Sequence, residues 1–284
     1  MITVIIIEEY LCCASAPEFK MTNLIAGLTA TTLYLGGLVY YIFKLRSSIE
    51  FNLSRLQVIT ALALLAHLVA TIYFLLAPGG LDLSLLKIFV LIALAINLIV
   101  FASGLTKIQH TLYLVLFPIS AGTLLMATVV PSSSPILILS TNMQAHILFS
   151  ILAYSLLSIA ALQALFIGLL DWQLKRKRRN LLMRTLPALE TMELVLFNVI
   201  LVGQFFLTLS LLSGLAFYDF FATTLLPKAI LSCLAWLFNA ILLYRRYYRG
   251  WRGRIAIRLT WAGFSSLLIA YVGTKFVFEY VVTG

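Results

Sequence analysis

Charged residues are scarce in this chain of 284 residues. Aspartate, glutamate, lysine and arginine together supply 11% of it, whereas hydrophobic residues supply 62%. Because a soluble globular domain carries about a quarter charged residues, this composition excludes a soluble domain of appreciable size. Apolar runs long enough to cross about 30 Å of hydrocarbon recur along the chain. The sequence therefore predicts a polytopic integral membrane protein.

The residue types that build metal and redox sites are also scarce. Of the 3 cysteines, Cys12 and Cys13 are adjacent and Cys233 stands alone, so a CxxC motif is lacking. A thiol–disulfide relay is therefore not predicted. The sequence contains no HExxH motif, no Cys/His cluster and no acidic metal site, which disfavours a zinc or di-iron centre. Because no nucleophile–base or acid–base pair can be named, no enzymatic activity is indicated.

Acidic residues are half as common as basic residues. The chain has 10 Asp and Glu against 20 Lys and Arg, a formal net charge of +10. The basic residues collect at the ends of apolar runs, which is typical of topology control and not of nucleic-acid binding. Glu193 and Glu279 stand near such ends and are expected to reach the interface, which leaves no carboxylate for a proton relay. A small-solute transporter is one hypothesis for such a protein and ranks third of three. It is disfavoured because the sequence shows no internal repeat.

Hydropathy predicts an all-α fold, a bundle of eight transmembrane helices. Because the connections are short, helices adjacent in sequence are expected to pack antiparallel. The spans are expected at about 22–43, 57–77, 84–104, 111–130, 143–170, 193–217, 226–244 and 255–282.

The distribution of basic residues predicts the orientation of the bundle. The connections after odd-numbered spans hold 16 Lys and Arg, and the opposite side holds 4. The positive-inside rule then places both termini outside, which in a bacterium is the periplasmic side of the inner (cytoplasmic) membrane.

Residues 1–20 are too short to span and carry three acids, unlike a signal peptide. We expect them to form a loosely attached extension, with a start at Met21 as the alternative, and 21–284 to form a single transmembrane domain.

Two histidines, His67 and His146, lie inside stretches that otherwise suit hydrocarbon. An imidazole is costly to place in a bilayer and is useful there as a ligand or a proton carrier. His146, Ser150 and Tyr154 repeat every four residues and are expected to share one helix face. Two such histidines favour axial ligation of a haem iron, one ring on each face of the macrocycle. The alternative is an interhelical hydrogen bond for each ring. His110 is expected to be a solvated loop residue.

The sequence YRRYYRGWRGR, residues 244–254, is the most distinctive local motif. It combines five arginines, three tyrosines and one tryptophan with two glycines that permit a tight reversal between helices. Tyrosine and tryptophan favour the membrane interface, and arginine reaches lipid phosphates. One interpretation is an anchoring hairpin, and the other is a binding site for an anionic group, including a haem propionate.

Long segments of the second half resemble the cytochrome c assembly family of integral membrane proteins (CcsA/HemX-like). They are LAWLFNAILLYRRYYRGWRGRIAIRLTWAGF with the following YVGTKFV, and HILFSILAYSLLSIAALQALFIGLLDWQLKRK with LPALETME and TLSLLSGLAFY. The resemblance covers roughly residues 24–282 and is nearest to the short inner-membrane members of the family.

The resemblance implies an eight-span protein that handles haem through histidines in the membrane, and His67 and His146 match two of these. It implies haem b as the cofactor and other cytochrome c maturation proteins as partners, beside the lipid bilayer. The chain departs from many relatives at Pro227, where they carry a histidine before the lysine that is Lys228 here. It also lacks the tryptophan-rich outer motif of the full synthetases. The leading hypothesis is a haem-binding accessory of cytochrome c assembly. The alternative is a non-catalytic membrane partner or regulator, of tetrapyrrole synthesis or of a larger complex, that binds no haem.

Overall fold

The predicted all-helical membrane architecture is confirmed. The computed structural model describes residues 17–46, 53–77, 80–103, 110–130, 140–176, 186–217 and 226–276. Within these ranges, 8 helices are long and apolar enough to cross a membrane. In chain order the helices are α1 (Pro17–Arg46), α2 (Leu53–Leu75), α3 (Leu85–Ser103), α4 (Tyr113–Val129), α5 (Thr141–Lys175), α6 (Leu189–Phe217), α7 (Leu226–Arg249) and α8 (Arg254–Leu268).

Short elements accompany some of these helices. β1 (Leu76–Ala77) and β2 (Gly80–Leu81) pair antiparallel between α2 and α3. A 3₁₀ turn, His110–Leu112, leads directly into α4. The eighth span continues past α8 as a π-helical stretch, Ile269–Gly273, and a last turn, Thr274–Phe276. Long helices dominate because a helix satisfies its own backbone hydrogen bonds, which hydrocarbon cannot do.

Two compact units divide the chain, and α1 to α4 form the first. This unit comprises 1–102, 113–140 and 283–284, as far as they are described. In it, α1 packs against both α2 and α4. Gly37 lies where α1 approaches α4 closely, because a Cβ atom there would lie 2.9 Å from Cε2 of Phe117. Asp82 bonds the backbone N–H of Ser84, just before α3, and pairs with Lys87 at 2.6 Å. An aspartate that accepts the N–H two residues further on forms a local turn, which here leads the chain into α3.

The second unit comprises 103–112 and 141–282, as far as they are described, and contains α5 to α8. In it, α5 packs against α6 and α8, and α7 packs against α6 and α8. Its core is formed by buried side chains from all four helices: Ala153, Leu157, Leu207, Ala235 and Leu267. The prediction of one transmembrane domain over 21–284 stays a prediction, as does the placement of both termini outside.

The predicted span limits agree with the structure to within about five residues wherever the chain is described. At its start, α1 begins at Pro17 and so takes in the last residues of the expected N-terminal extension. The rest of that extension, residues 1–16, lies outside the described residues. Glu279 also lies outside them.

Candidate functional site

His67 lies in the middle of the first unit and is fully buried, with 0% of its surface exposed. Its Nδ1 atom lies 3.0 Å from the hydroxyl of Tyr34 on α1, and its Nε2 atom lies 3.1 Å from the carbonyl oxygen of Val90 on α3. The ring on α2 therefore joins three helices through hydrogen bonds. The ring of Tyr34 also meets the imidazole edge-on, with centroids 5.5 Å apart.

These partners fix which nitrogen of His67 carries the proton. A carbonyl oxygen only accepts, so Nε2–H donates to Val90, and the hydroxyl of Tyr34 then donates to the lone pair of Nδ1. Both ring nitrogens are engaged in this arrangement. An iron atom would have to replace one of the two hydrogen bonds in order to bind His67.

His146 lies near the start of α5 in the second unit and is half-buried. Its Nδ1 atom lies 2.9 Å from the hydroxyl oxygen of Ser213 on α6. The hydroxyl of Ser213 already donates its hydrogen to the carbonyl of Ser210, at 2.9 Å. It must therefore accept from Nδ1–H of His146, which leaves the ring lone pair on Nε2.

This arrangement of His146 is the one that metal-binding histidines commonly use. One ring nitrogen donates to a fixed oxygen, which sets the tautomer and the ring orientation, and the other nitrogen carries the lone pair that a metal needs. Gly214 helps to hold the ring, because a Cβ atom there would lie 3.3 Å from Cε1 of His146. The residues around His146 therefore suit an axial ligand of iron better than those around His67.

The face predicted for α5 is confirmed. Ser150 lies one turn after His146, donates to its carbonyl and lies 2.7 Å from the hydroxyl of Ser210 on α6. Tyr154, one turn further, donates to the carbonyl of Leu267 on α8 at 3.3 Å. A row of polar groups thus runs along α5 and faces the neighbouring helices of its own unit.

The expectation for His110 is wrong. This residue begins the 3₁₀ turn before α4 and is 8% exposed, so it is not a solvated loop residue. The local sequence, with Lys107 close by, suggested solvent because a basic residue usually marks a helix end. The apolar residues that follow His110 instead place the turn inside the protein.

Among the described residues, no group of three or more His, Cys, Asp or Glu could hold a metal ion.

Glu193 stands near the start of α6 and contacts the turn between α7 and α8. Glu193 is 5% exposed, and its Oε1 atom accepts the backbone N–H of Gly253 at 3.0 Å. The contact ties α6 to the turn between α7 and α8, and the expectation that Glu193 reaches the membrane interface stays a prediction. The sequence contains both groups of this contact, the unshielded N–H of a glycine and a carboxylate. It does not show which residues meet.

These observations define a class: a helical polytopic membrane protein that holds single histidines inside apolar helices. Residues 56–282 match the family described as Cytochrome C assembly protein. The inner membrane protein YpjD of Escherichia coli (strain K12) is 32% identical over 228 residues, which are 78% of this chain and 86% of that protein. The chain therefore belongs to the cytochrome c assembly protein family, and the resemblance noted in its sequence is confirmed.

A second relative has a more limited overlap. The cytochrome c biogenesis protein CcsA of Prochlorococcus marinus is 36% identical over 90 residues, which are 31% of this chain and 29% of that protein. No solved structure matches the chain. Family membership supports a role in cytochrome c biogenesis. The apolar helices and the name of the Escherichia coli relative fit a multi-pass protein of the inner membrane.

Proposed function

We propose that this protein binds haem b within the inner membrane as an accessory of cytochrome c assembly, with His146 and His67 as candidate iron ligands. The observation that carries the proposal is the hydrogen bond from His146 to Ser213, 2.9 Å long, which places the ring proton on Nδ1 and the ring lone pair on Nε2, the tautomer of a metal-binding histidine. Family membership supplies the reason to expect haem rather than another metal group. Haem iron needs only one or two protein ligands, so a larger cluster is not required.

The two histidines contribute differently to this proposal. His146 is already in the tautomer that presents Nε2, so it is the primary candidate. His67 has to exchange the hydrogen bond to Tyr34 or the one to Val90 for an iron bond. We propose His67 as the weaker candidate ligand, because iron binding there is opposed by the loss of one buried hydrogen bond.

The test is the absorption spectrum of the full-length protein, purified in mild detergent after expression with ample haem. We expect a Soret band that His146→Ala abolishes or strongly reduces and that His67→Ala weakens. His110→Ala is the matched control, because it removes a buried imidazole that the proposal does not use. Every variant must elute as wild type. Absence of a Soret band in the wild type, or a band that survives His67→Ala with His146→Ala, would refute the ligand assignment.

A second candidate function is a structural partner or regulator that binds no haem. The hydrogen bonds of His67 favour it, because they join three helices and engage both ring nitrogens. Under this hypothesis a chain with His67→Ala and His146→Ala supports growth that depends on cytochrome c wherever it still reaches the membrane. The same chain would also co-purify with a stable partner as wild type does. Loss of growth at normal protein abundance would exclude this alternative.

A further inference from the structure

The turn between α7 and α8 is fixed in place by the second unit. α7 ends at Arg249, and the next residue, Gly250, has φ of 63° and donates its N–H to the carbonyl of Arg246 at 3.1 Å. This is a left-handed helix cap that glycine adopts without strain. Gly253, with φ of 65°, then starts α8 and donates its N–H to Glu193. Two glycines and one buried carboxylate thus hold a reversal of four residues, 250–253.

Two arginines of the motif are held by aromatic rings. The guanidinium of Arg246 lies 4.6 Å from the ring centre of Phe197, and that of Arg245 lies 5.0 Å from the ring centre of Trp251. Phe197 stands one helical turn after Glu193 on α6. One face of α6 therefore fastens the turn at two points, through a cation–π contact and through a hydrogen bond.

Arg249 immediately precedes the fixed turn, Arg252 lies within it, and both are exposed. In the part of the chain that is described, neither has an ion-pair or ring partner. The third exposed arginine of the motif, Arg254, already contacts Asp171 at 3.7 Å. Next to the two arginines stand Tyr247 and Tyr248, 85% and 68% exposed, and residues of this type favour the lipid interface.

We propose that Arg249 and Arg252 form a preformed binding site for the phosphate of an anionic phospholipid headgroup. Guanidinium groups bind phosphate oxygens through paired hydrogen bonds, and the tyrosines place the site at the depth of the headgroups. The charge of the turn complements an anionic lipid and offers nothing to a zwitterionic one beyond its phosphate. The site differs from a general basic anchor because Glu193 holds the backbone of the turn, and Phe197 holds the guanidinium of Arg246 at the end of α7, before lipid arrives. It does not depend on haem binding.

The test uses the full-length protein in mild detergent, titrated with phosphatidylglycerol or with phosphatidylcholine, with bound lipid counted by native mass spectrometry. We expect one tight phosphatidylglycerol per chain. Arg249→Gln with Arg252→Gln should lower its affinity on the order of 10- to 30-fold. Arg46→Gln is the control, because Arg46 is an exposed arginine in the last turn of α1, and we expect less than about a 2-fold effect.

Two substitutions of Glu193 separate a preformed site from simple charge attraction. Glu193→Gln removes the negative charge and keeps an oxygen for the N–H of Gly253, so affinity should hold or rise. Glu193→Leu removes the charge and the acceptor, so the turn loses its fastening and affinity should fall. Tighter binding by both variants would overturn the preformed site, because charge alone predicts that result. Unchanged binding by the double arginine variant would overturn the proposal, whether or not Glu193→Leu folds.

Discussion

Tyr34→Phe tests the hydrogen-bond network of His67 with the smallest available change. The substitution removes one hydroxyl and keeps the aromatic ring, so the edge contact with His67 and the contact with Phe117, at 5.6 Å between centroids, remain possible. What is lost is the hydrogen bond of 3.0 Å to Nδ1 of a ring that is 0% exposed. The acceptor then has no water to replace the hydroxyl.

The expected cost is about 1 kcal/mol. Hydrogen bonds between membrane helices contribute about 0.6 kcal/mol on average and at most about 1.7, whereas leaving a buried acceptor unpaired costs about 1–3 kcal/mol. The fully buried position of His67 puts this bond above the average of the first range and at the lower end of the second. For a chain of this size, 1 kcal/mol lowers the melting temperature by about 2–4 °C.

The assay is thermal unfolding of the haem-free protein in one detergent, followed by circular dichroism. Tyr40→Phe is the matched control on the same helix, since the hydroxyl of Tyr40 is buried with no hydrogen-bond partner among the described residues. It should leave the melting temperature unchanged or raise it slightly. Equal melting temperatures for Tyr34→Phe and wild type, or an equal loss in Tyr40→Phe, would refute the reasoning. Haem titration adds a second measurement, because release of Nδ1 should raise affinity about 5-fold if iron binds that atom.

Two further pairs of measurements test the helix packing and the site. Gly37→Ala should destabilise the protein by about 1–3 kcal/mol because its Cβ would lie 2.9 Å from Phe117, whereas Gly36→Ala, with nothing within 4 Å, should stabilise it by about 0.5–1 kcal/mol. Thermal unfolding checks both, and a stabilising Gly37→Ala would contradict the close approach of α1 to α4. Ser213→Ala should lower haem affinity about 10- to 100-fold, because His146 loses the acceptor that fixes its tautomer. Titration followed at the Soret band measures this, and wild-type affinity would show that Ser213 does not position the ring.

The sequence predicts the helices well because hydropathy reports directly on the solvent of each segment. A run of apolar residues long enough to cross a bilayer has few alternatives to a helix, and all eight expected spans are present in the described residues. Helix periodicity likewise places His146 and Ser150 on one face, and the structure agrees. These are local properties, and each depends only on residues within a few turns of one another.

The partners of the two histidines could not be predicted in the same way. Tyr34 lies 33 residues before His67 in the sequence, and Ser213 lies 67 residues after His146. Which residues come into contact depends on the axial position and the rotation of each helix relative to its neighbours. Hydropathy carries almost no information on either. Glu193 shows the same limit, because its position near a helix end does not reveal that its carboxylate accepts a glycine N–H 60 residues away.

The direction of hydrogen bonds separates two histidines that look alike in the sequence. Both rings lie in apolar helices, where an unpaired nitrogen is costly. His67 avoids this cost because one ring nitrogen donates to a carbonyl and the other accepts from a hydroxyl. Both nitrogens are therefore hydrogen-bonded. Nδ1 of His146 contacts the hydroxyl of Ser213, which already donates its hydrogen to the carbonyl of Ser210. The proton of the imidazole must therefore lie on Nδ1. The ligand role proposed for His146 thus depends on where the hydroxyl of Ser213 donates its hydrogen, whereas a ligand role for His67 requires the first unit to give up a hydrogen bond between helices.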